Sequence, residues 1–557
     1  MKLSVKAFSF IVGLVAASAV SAQTLQDAIK MTSNERYEAA SAAFKKILKS
    51  GNDQGGDAWF YYGNNFLEWG VLDSAKMMFQ KGSETKPSNP LNFVGLGSVA
   101  WMEHNAEQAK QFFYKATSLT TTQAKELSKE KQTMVYLRIA EAYLKGTKNL
   151  SEAFTNINLA MKISPKDPEV YIQLGDYWLE KNTTDVSEAI KNYEKAGELD
   201  KTSTRAILRQ GQVWVRVQNY EDGLKFYRQA IQMDSTFAPA FRARGDLYFR
   251  YAKYKAAIAD YRKYLAMNDG QSAKQKYAQS LFFTKDYKTA IEEIKAVQRK
   301  DSSNLTLMRY LAYSYYETGD YASGLATMQR FLMRQELVEK PKLINTDYAY
   351  YGKLLSKSGN DSVGIEQLKK AIAMDSSFID SYGDIASIYF KVKKPAEAAK
   401  YYELKIALEK KSGGKVNPLD YIALGKIYFS NKDYVKADTA FARTTDIYPV
   451  YSNAWRARCN ASLDNQEKPE GKAKPFWELA ICKAGTDVDR NKKDLIDAYG
   501  YLGFFYLSKK NYDCSKAAFL KVQELDAAND KAKLALEDKM VKPASGNCDL
   551  IKNMCNK

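Results

Sequence analysis

Few side chains in this sequence could carry out chemistry, and two scarce residue types set the limits. The chain has a single histidine, His104, and five cysteines, all of which come after residue 458. One histidine excludes a His-rich zinc site and argues against histidine-based acid–base catalysis. The cysteine spacing matches no zinc motif, and no nucleophile-elbow, zinc-protease, phosphate-loop or C-x-x-C pattern is present. The sequence therefore predicts no catalytic residue, no bound metal and no cofactor.

Two further candidates suit structural positions better than chemistry. His104 lies in WMEHNAEQAK, where a turn between two helices is predicted. Asp-Ser pairs begin at residues 234, 301 and 375, and they recur at one place in a repeating pattern. Aspartate and serine favour turns and helix caps, so we expect these pairs to end and begin helices.

The N-terminal residues resemble a targeting segment. MKLSVKAFSFIVGLVAASAVSAQ places two lysines before a short apolar run and then small residues. This order is typical of a cleaved signal peptide, residues 1–22, and an N-terminal anchor helix is the alternative. Cleavage removes Lys2 and Lys6 and no acid, so the net charge falls from +18 to +16. We expect an exported protein, periplasmic, outer-membrane associated or extracellular, with no transmembrane segment after cleavage.

A repeated pattern of small and aromatic residues runs through the remaining chain. A glycine is followed by a tyrosine three residues later, an alanine twelve later and an aromatic sixteen later, as in Gly245, Tyr248, Ala257 and Tyr261. Small residues let two helices approach closely, and the aromatic fills the groove between them. Because one hairpin cannot bury its own apolar face, successive hairpins must stack.

This pattern resembles the tetratricopeptide repeat, in about fourteen copies over residues 23–528, followed by a tail, 529–557. The resemblance implies an all-α fold of tandem helix hairpins, stacked in a right-handed superhelical solenoid whose concave face is lined mainly by first helices. An incomplete copy around Tyr37 leads the array. The first helices of the other copies are centred near Gly63, Gly97, Ala140, Gly175, Gly211, Gly245, Ala278, Ala312, Gly352, Ala386, Gly425, Cys459 and Gly503.

The cysteines fall at the end of this array. Cys548 and Cys555 flank a short segment and form our candidate disulfide, which an exported chain would keep. Cys459, Cys482 and Cys514 lie on the last two repeats, where a bridge among them would stiffen the end of the array. One of the five must stay unpaired or pair between chains, and free thiols are the alternative throughout.

The resemblance also implies which residues line the concave surface. They are the residue after each anchor and those three before and four after it. In the middle copies this rule gives a mixed aromatic and basic lining of the kind enriched at protein interfaces. Two arginines that lie one position beyond those the rule names are included. For Phe249 and Phe282 the alternative is packing against the next repeat. The candidate partner-binding residues are Arg216, Arg242, Phe249, Arg250, Phe282, Arg309, Tyr313 and Tyr316.

The charge balance bears on the partner. The chain has 83 Lys+Arg against 65 Asp+Glu, which suggests an acidic protein or contact with an anionic envelope surface. Nucleic acid is not predicted, because the chain is expected to be exported and shows no nucleic-acid-binding motif.

These observations predict a non-enzymatic scaffold or adaptor of the bacterial envelope that binds partner proteins on its concave surface. The alternative is a glycan-binding outer-membrane protein resembling the SusD family. Members of that family look like lipoproteins with long insertions between few repeats. In this sequence the lipid-attachment cysteine is missing and the repeats run almost uninterrupted. An enzyme hidden in an insertion is a third hypothesis, but the insertions, about ten residues long, are too short for a catalytic domain.

Overall fold

A computed structural model of the chain describes residues 24–550, apart from 183, 269, 300–301, 338–342 and 466–469. The predicted signal peptide and Cys555 lie outside the described residues. Within these ranges the chain forms twenty-nine α-helices and one 3₁₀ turn, and no strand. The all-α repeat fold predicted from the sequence is confirmed.

Most of the helices are short and similar in length, and only brief turns separate them. A 3₁₀ turn, Gln54–Gly56, precedes α3. The helices are α1 Leu25–Ser33, α2 Tyr37–Lys49, α3 Asp57–Trp69, α4 Leu72–Thr85, α5 Pro90–Met102, α6 Ala106–Thr122, α7 Lys129–Leu144, α8 Leu150–Ile163, α9 Pro168–Lys181, α10 Ser187–Leu199, α11 Thr204–Arg216, α12 Tyr220–Met233, α13 Ala238–Arg250, α14 Tyr254–Leu265, α15 Gln271–Phe283, α16 Tyr287–Gln298, α17 Leu305–Thr318, α18 Tyr321–Glu336, α19 Asn345–Lys357, α20 Asp361–Met374, α21 Asp380–Lys391, α22 Pro395–Lys411, α23 Pro418–Ser430, α24 Tyr434–Ala442, α25 Pro449–Ser462, α26 Lys474–Ala484, α27 Val488–Ser508, α28 Tyr512–Leu525 and α29 Asp530–Leu536.

The small anchor residues allow the two helices of a hairpin to pack closely. A Cβ placed on Gly63 would lie 2.4 Å from the ring of Phe79, and one on Gly245 would lie 3.1 Å from the ring of Tyr261. A larger side chain fits at these positions only if the ring moves, so the predicted pairing of a small residue with an aromatic is confirmed. The same contact recurs at Gly97–Phe113, Gly175–Tyr193, Gly211–Tyr227, Gly425–Phe441 and Gly503–Phe519.

The turn inside most hairpins contains a residue in the left-handed region, two positions before the second helix. Glycine occupies this position in some copies, as at Gly70 (φ +82°) and Gly319 (φ +85°). His104 occupies it with φ +61°, which confirms the turn predicted there. The other side chains held in this conformation two residues before a helix are Glu35, Gln218, Ala252, Lys285, Lys393, Lys432 and Lys510.

The Asp-Ser pairs lie in turns between hairpins, as predicted. The Asp234 carboxylate accepts the backbone N–H of Thr236 at 2.8 Å and its hydroxyl at 2.6 Å. Asp375 accepts the same two bonds from Ser377, at 2.9 and 2.6 Å. Residue 301, which begins the third pair, lies outside the described residues.

Tertiary contacts divide the chain into two units, the first ending at Tyr310 and the second beginning at Leu311. In the first unit the largest apolar cluster spans α3 to α8. In the second it spans α25 to α28 and includes Leu550 of the tail. In the part of the chain that the structure describes, no helix is both long and apolar enough to cross a membrane. The predicted limits of the repeat array, 23–528, stay a prediction.

Candidate functional site

Arg242, on α13, is a predicted partner-binding residue whose neighbours belong to this chain. Its Nη2 lies 2.6 Å from Oε1 of Glu35, and its Nε lies 3.2 Å from Oε2 of the same carboxylate. Tyr264 donates its hydroxyl to Oε2 of Glu35 at 3.0 Å. Glu35 belongs to the turn between α1 and α2, so the guanidinium of Arg242 is held by the first hairpin.

Tyr313 does not lie open to a partner, which corrects its predicted role. Its side chain is 2 % exposed. The ring stacks on Tyr350, with centroids 4.0 Å apart, and the hydroxyl donates to the buried carboxylate of Asp347 at 2.6 Å. The position after the anchor of α17 therefore faces α19, where a large aromatic fills the interface and its hydroxyl finds an acceptor.

The other predicted aromatic residues pack against neighbouring rings and are half-buried. Phe249 meets Tyr254 of its own hairpin, with centroids 5.7 Å apart. Phe282 lies 5.1 Å from Tyr310, on the next first helix. The packing alternative describes Phe282, whereas the partner of Phe249 lies in its own hairpin and not in the next repeat. Tyr316 keeps part of its ring accessible, with the Lys353 Nζ 4.8 Å from its centroid.

The remaining predicted residues are three arginines on first helices. Arg216 ends α11 and Arg250 ends α13, and both are exposed. Arg309 is half-buried on α17. A role for these three arginines in partner binding stays a prediction.

A small, partly open pocket lies between the first helices α3, α5 and α7 of the first unit. Apolar side chains form much of its lining, and polar and charged groups converge on it. This composition is typical of a site that holds a side chain of a partner or a small ligand. The lining residues are Phe60, Asn64, Leu67, Glu68, Phe79, Val94, Gly95, Ser98, Met102, Arg138, Glu141, Ala142 and Lys145.

Small residues on α5 create the space for this pocket. A Cβ on Gly95 would lie 2.3 Å from the ring of Phe79, so the ring packs directly against the backbone of α5. Ser98 is short, and its hydroxyl donates to its own helix, to the carbonyl of Val94 at 2.9 Å. Helix α5 is buried along almost its whole length, and its flanking helices carry the longer side chains of the pocket.

Ion pairs join α3 to α7 at the pocket. Lys145 lies 2.8 Å from Oε1 of Glu68 on α3 and 3.0 Å from Oε1 of Glu141 on α7. Arg138 holds the second oxygen of Glu141 at 2.6 Å. Burial disfavours the charge of Glu141, but attraction to Lys145 and Arg138 outweighs burial and holds its pKa well below the usual carboxyl range. The Glu141 carboxylate and the two basic groups paired with it therefore stay charged at neutral pH.

Basic residues on the following first helices are also paired with acids. Arg205 lies 2.6 Å from Glu169, and Arg209 donates to Asp176 at 3.2 Å. With the pairs of Arg138 and Arg242, these contacts give the described first helices of the first unit a largely charge-balanced lining. Among the predicted arginines, Arg242 is paired within the chain, and the basic lining of the middle copies stays a prediction.

The sequence rule for the concave surface fits the pocket, although it was applied to the middle copies. Counted from the anchors Gly63, Gly97 and Ala140, six of the thirteen lining residues occupy positions that the rule names. Examples are Asn64, Ser98 and Glu141, each directly after an anchor. The missed signal was the small residues Gly95 and Ser98, which leave space between longer neighbours.

The cysteine pairing differs from the prediction. Cys548 forms a disulfide with Cys514 and not with Cys555. The tail folds back along α28, where Ser545 donates its backbone N–H and its hydroxyl to Asp513 at 2.7 and 2.6 Å. This path brings Cys548 beside the start of α28, so the bridge ties the tail to the last repeat.

The other cysteines confirm that one stays unpaired. Cys482 is also disulfide-bonded, and Cys459 is a buried free thiol. Burial raises the pKa of Cys459 to about 12, so the thiol is protonated and unreactive at neutral pH. Among the residues that the structure covers, no cluster of His, Cys, Asp or Glu has a metal-binding arrangement.

No family model matches the chain, and neither does any curated protein. Among solved structures, the C-terminal part of a TPR repeat-containing protein from Cytophaga hutchinsonii is 29% identical, with a TM-score of 0.43, covering 47% of this chain and 100% of that one. A tetratricopeptide repeat protein from Parabacteroides merdae is 17% identical, with a TM-score of 0.30, covering 44% and 93%. The Cut9–Hcn1 hetero-tetramer of the APC/C is 12% identical, with a TM-score of 0.31, covering 88% and 96%. All three TM-scores are below 0.5.

Proposed function

We propose that this chain, a tetratricopeptide repeat protein, is a non-enzymatic scaffold that holds partner proteins against its first helices. Tandem repeats of this kind generally present a binding surface and do not carry out a reaction. The observation that carries the proposal is the pocket between α3, α5 and α7, where six lining residues occupy positions that the repeat resemblance assigns to the binding face.

The chemistry of the pocket suits a side chain of a protein partner. Phe60, Leu67 and Met102 offer apolar contact, and Glu68 and Lys145 offer hydrogen bonds at the same place. An aromatic or aliphatic residue that enters such a pocket buries apolar area, while its backbone can bond to the charged groups. We propose that the partner anchors one apolar or aromatic side chain here.

The bacterial envelope is the compartment that we propose. The signal-peptide pattern at residues 1–22 supports export, and the Cys514–Cys548 disulfide suits an oxidising compartment. The periplasm, the outer membrane and the exterior are all compatible with both observations. Cell fractionation with N-terminal sequencing tests this, and a mature chain beginning at Gln23 in the envelope fraction is expected. Recovery of the uncleaved chain in the cytosol would refute it.

We also propose that the chain binds an acidic protein or an anionic surface of the envelope. Many basic residues of the first unit are paired, but the net charge is still strongly positive, and Arg216 and Arg250 are exposed. Exposed cations of this kind steer acidic proteins or anionic surfaces by long-range attraction that salt weakens.

A photo-cross-linking experiment in cells tests the pocket. Met102, which lines the pocket, is replaced by a photoreactive phenylalanine analogue, and Tyr114 on α6, 76 % exposed, serves as the matched control. We expect one defined protein to be trapped from position 102 and not from position 114. Filling the pocket with Ser98→Trp should lower the yield at least ten-fold while circular dichroism shows a folded chain.

Two outcomes would contradict the proposal. Equal labelling from positions 102 and 114, or unchanged labelling in the folded Ser98→Trp variant, would exclude the pocket as the binding site. Binding of soluble polysaccharide in a calorimeter, with no protein trapped, would replace the scaffold by the glycan-binding alternative.

A further inference from the structure

The first hairpin of the chain contacts residues more than two hundred positions away in the first unit. Besides the Glu35 contacts already described, the Nζ of Lys30 lies 3.1 Å from the Asp234 carboxylate. Asn34 donates its side-chain amide to the Thr236 hydroxyl at 3.2 Å. Four polar contacts thus join α1 and the turn after it to the turn before α13, to α13 and to α14.

These contacts include one strong pair and several weaker ones. The guanidinium of Arg242 uses two nitrogens on the two oxygens of Glu35, and the Tyr264 hydroxyl adds a third bond to that carboxylate. Two parallel hydrogen bonds to one carboxylate fix the orientation of the guanidinium and make the pair stronger than a single bond would. The Lys30–Asp234 pair is largely exposed on the lysine side and is expected to be weak.

The same hairpin also rests beside the pocket. Tyr37, the first residue of α2, stacks on Trp69 of α3 with centroids 5.9 Å apart. Asn65 of α3 donates to the backbone carbonyl of Tyr37 at 3.1 Å. Because α3 carries Glu68 at the pocket, the first hairpin connects one wall of the pocket to α13 and α14.

We propose that the α1–α2 turn is a clasp that closes the first-helix face of the first unit by holding Arg242 and Tyr264. Release of Glu35 opens the face and frees Arg242, and a partner loads more readily when the clasp is open. The gating part of this inference rests on the proposed function, whereas the existence of the clasp does not.

Zero-length cross-linking tests the clasp in the full-length protein. A water-soluble carbodiimide joins a lysine amine to a carboxylate only where the two are in contact, so it should link Lys30 to Asp234, a product that mass spectrometry identifies. Arg242→Glu should reduce this product at least ten-fold, and the swap Glu35→Arg with Arg242→Glu should restore at least half of it. The matched controls reverse charge nearby, at the exposed residues Glu38 and Arg250, and should leave the yield unchanged.

The results separate a clasp from its alternatives. An absent Lys30–Asp234 product in the wild type, or one unaffected by Arg242→Glu, would overturn the clasp. A mixture of isotope-labelled and unlabelled chains distinguishes a contact within one chain from one between copies, and a product found only between copies would also overturn it. If Arg242→Glu fails to fold, Glu35→Gln, which keeps the size of the side chain and removes its charge, should reduce the product in the same direction.

Partner capture then tests gating. With the cross-linker at position 102, the Arg242→Glu variant should trap several times more partner than the wild type, and the charge swap should return toward the wild-type yield. Equal capture by all three would refute gating while the scaffold proposal stands. Capture by none of them would refute the proposed function and leave the Lys30–Asp234 result unaffected.

Discussion

The left-handed residue in the hairpin turns shows how single positions tolerate a strained backbone. At this position Gly319 has open space around it and φ +85°, whereas Lys285 adopts φ +64° in the equivalent place. An L-residue in this conformation costs about 1 kcal/mol that glycine does not. Many copies carry this cost, because the turn requires a left-handed backbone at this position whichever side chain is present. Glycine at this position therefore suits the turn, but the turn also forms without it.

Gly319→Ala tests that cost directly. Nothing lies within 4 Å of the added Cβ, so the expected destabilisation of about 1 kcal/mol comes from the backbone alone. The reciprocal change Lys285→Gly, which relieves the same strain, should raise stability. Urea unfolding followed by circular dichroism measures both, and a Gly319→Ala chain as stable as the wild type would count against backbone strain at this turn.

At the scale of elements, the last hairpin that the structure describes is joined to the tail by a covalent bond. The tail runs against α28, where Lys516 donates its ammonium to the carbonyls of Lys542 and Ala544 at 2.8 and 2.7 Å. The disulfide from Cys514 to Cys548 then fixes it there. A terminal hairpin lacks a following repeat to cover its apolar face, and here the tail takes that place.

Cys514→Ser should weaken the end of the array. The bridge closes a loop of 34 residues, and in the chain-entropy description such a loop stabilises by about 3–4 kcal/mol. Hydrogen–deuterium exchange of the α28 amides should accelerate accordingly. The double variant Cys514→Ser with Cys548→Ser should match the single variant, and unchanged protection of α28 in both would show that packing alone holds the tail.

The sequence predicted the elements better than their long-range contacts. The spacing of Gly245 and Tyr261 predicts a hairpin because both residues act within one repeat. The pairing of Cys548 depends instead on the path of the tail, and the contact of Glu35 with Arg242 depends on how many hairpins lie between them. The rule for the concave surface includes six residues of the pocket, but the burial of Tyr313 depends on the neighbouring helix.

For the whole molecule, a chain of hairpins that contact mainly their neighbours should respond locally to damage. Neither the composition nor the net charge indicates this property. It follows from the order of the packing contacts, in which each apolar cluster joins consecutive hairpins. A defect in one hairpin should therefore leave distant hairpins protected.

Gly425→Ala provides such a defect in the second unit. The new Cβ would lie 2.8 Å from the ring of Phe441, and moving that ring should cost about 1–3 kcal/mol. Amide exchange should accelerate in α23 to α25 and stay unchanged in α3 to α8. Gly500→Ala, a helical position with nothing within 4 Å, is the matched control and should be neutral or slightly stabilising. A molecule-wide acceleration in Gly425→Ala would mean that the array unfolds as one block.

The bridge from Cys514 to Cys548 also determines how the chain bears mechanical load. Tension applied beyond Cys548 passes through the disulfide directly to the start of α28, so the 34-residue loop between the two sulfurs carries no force. The part of the chain from Cys514 to Cys548, helix α28 included, is thereby shielded from stretching. A pull on Cys548 therefore reaches the stacked hairpins without first unravelling this loop.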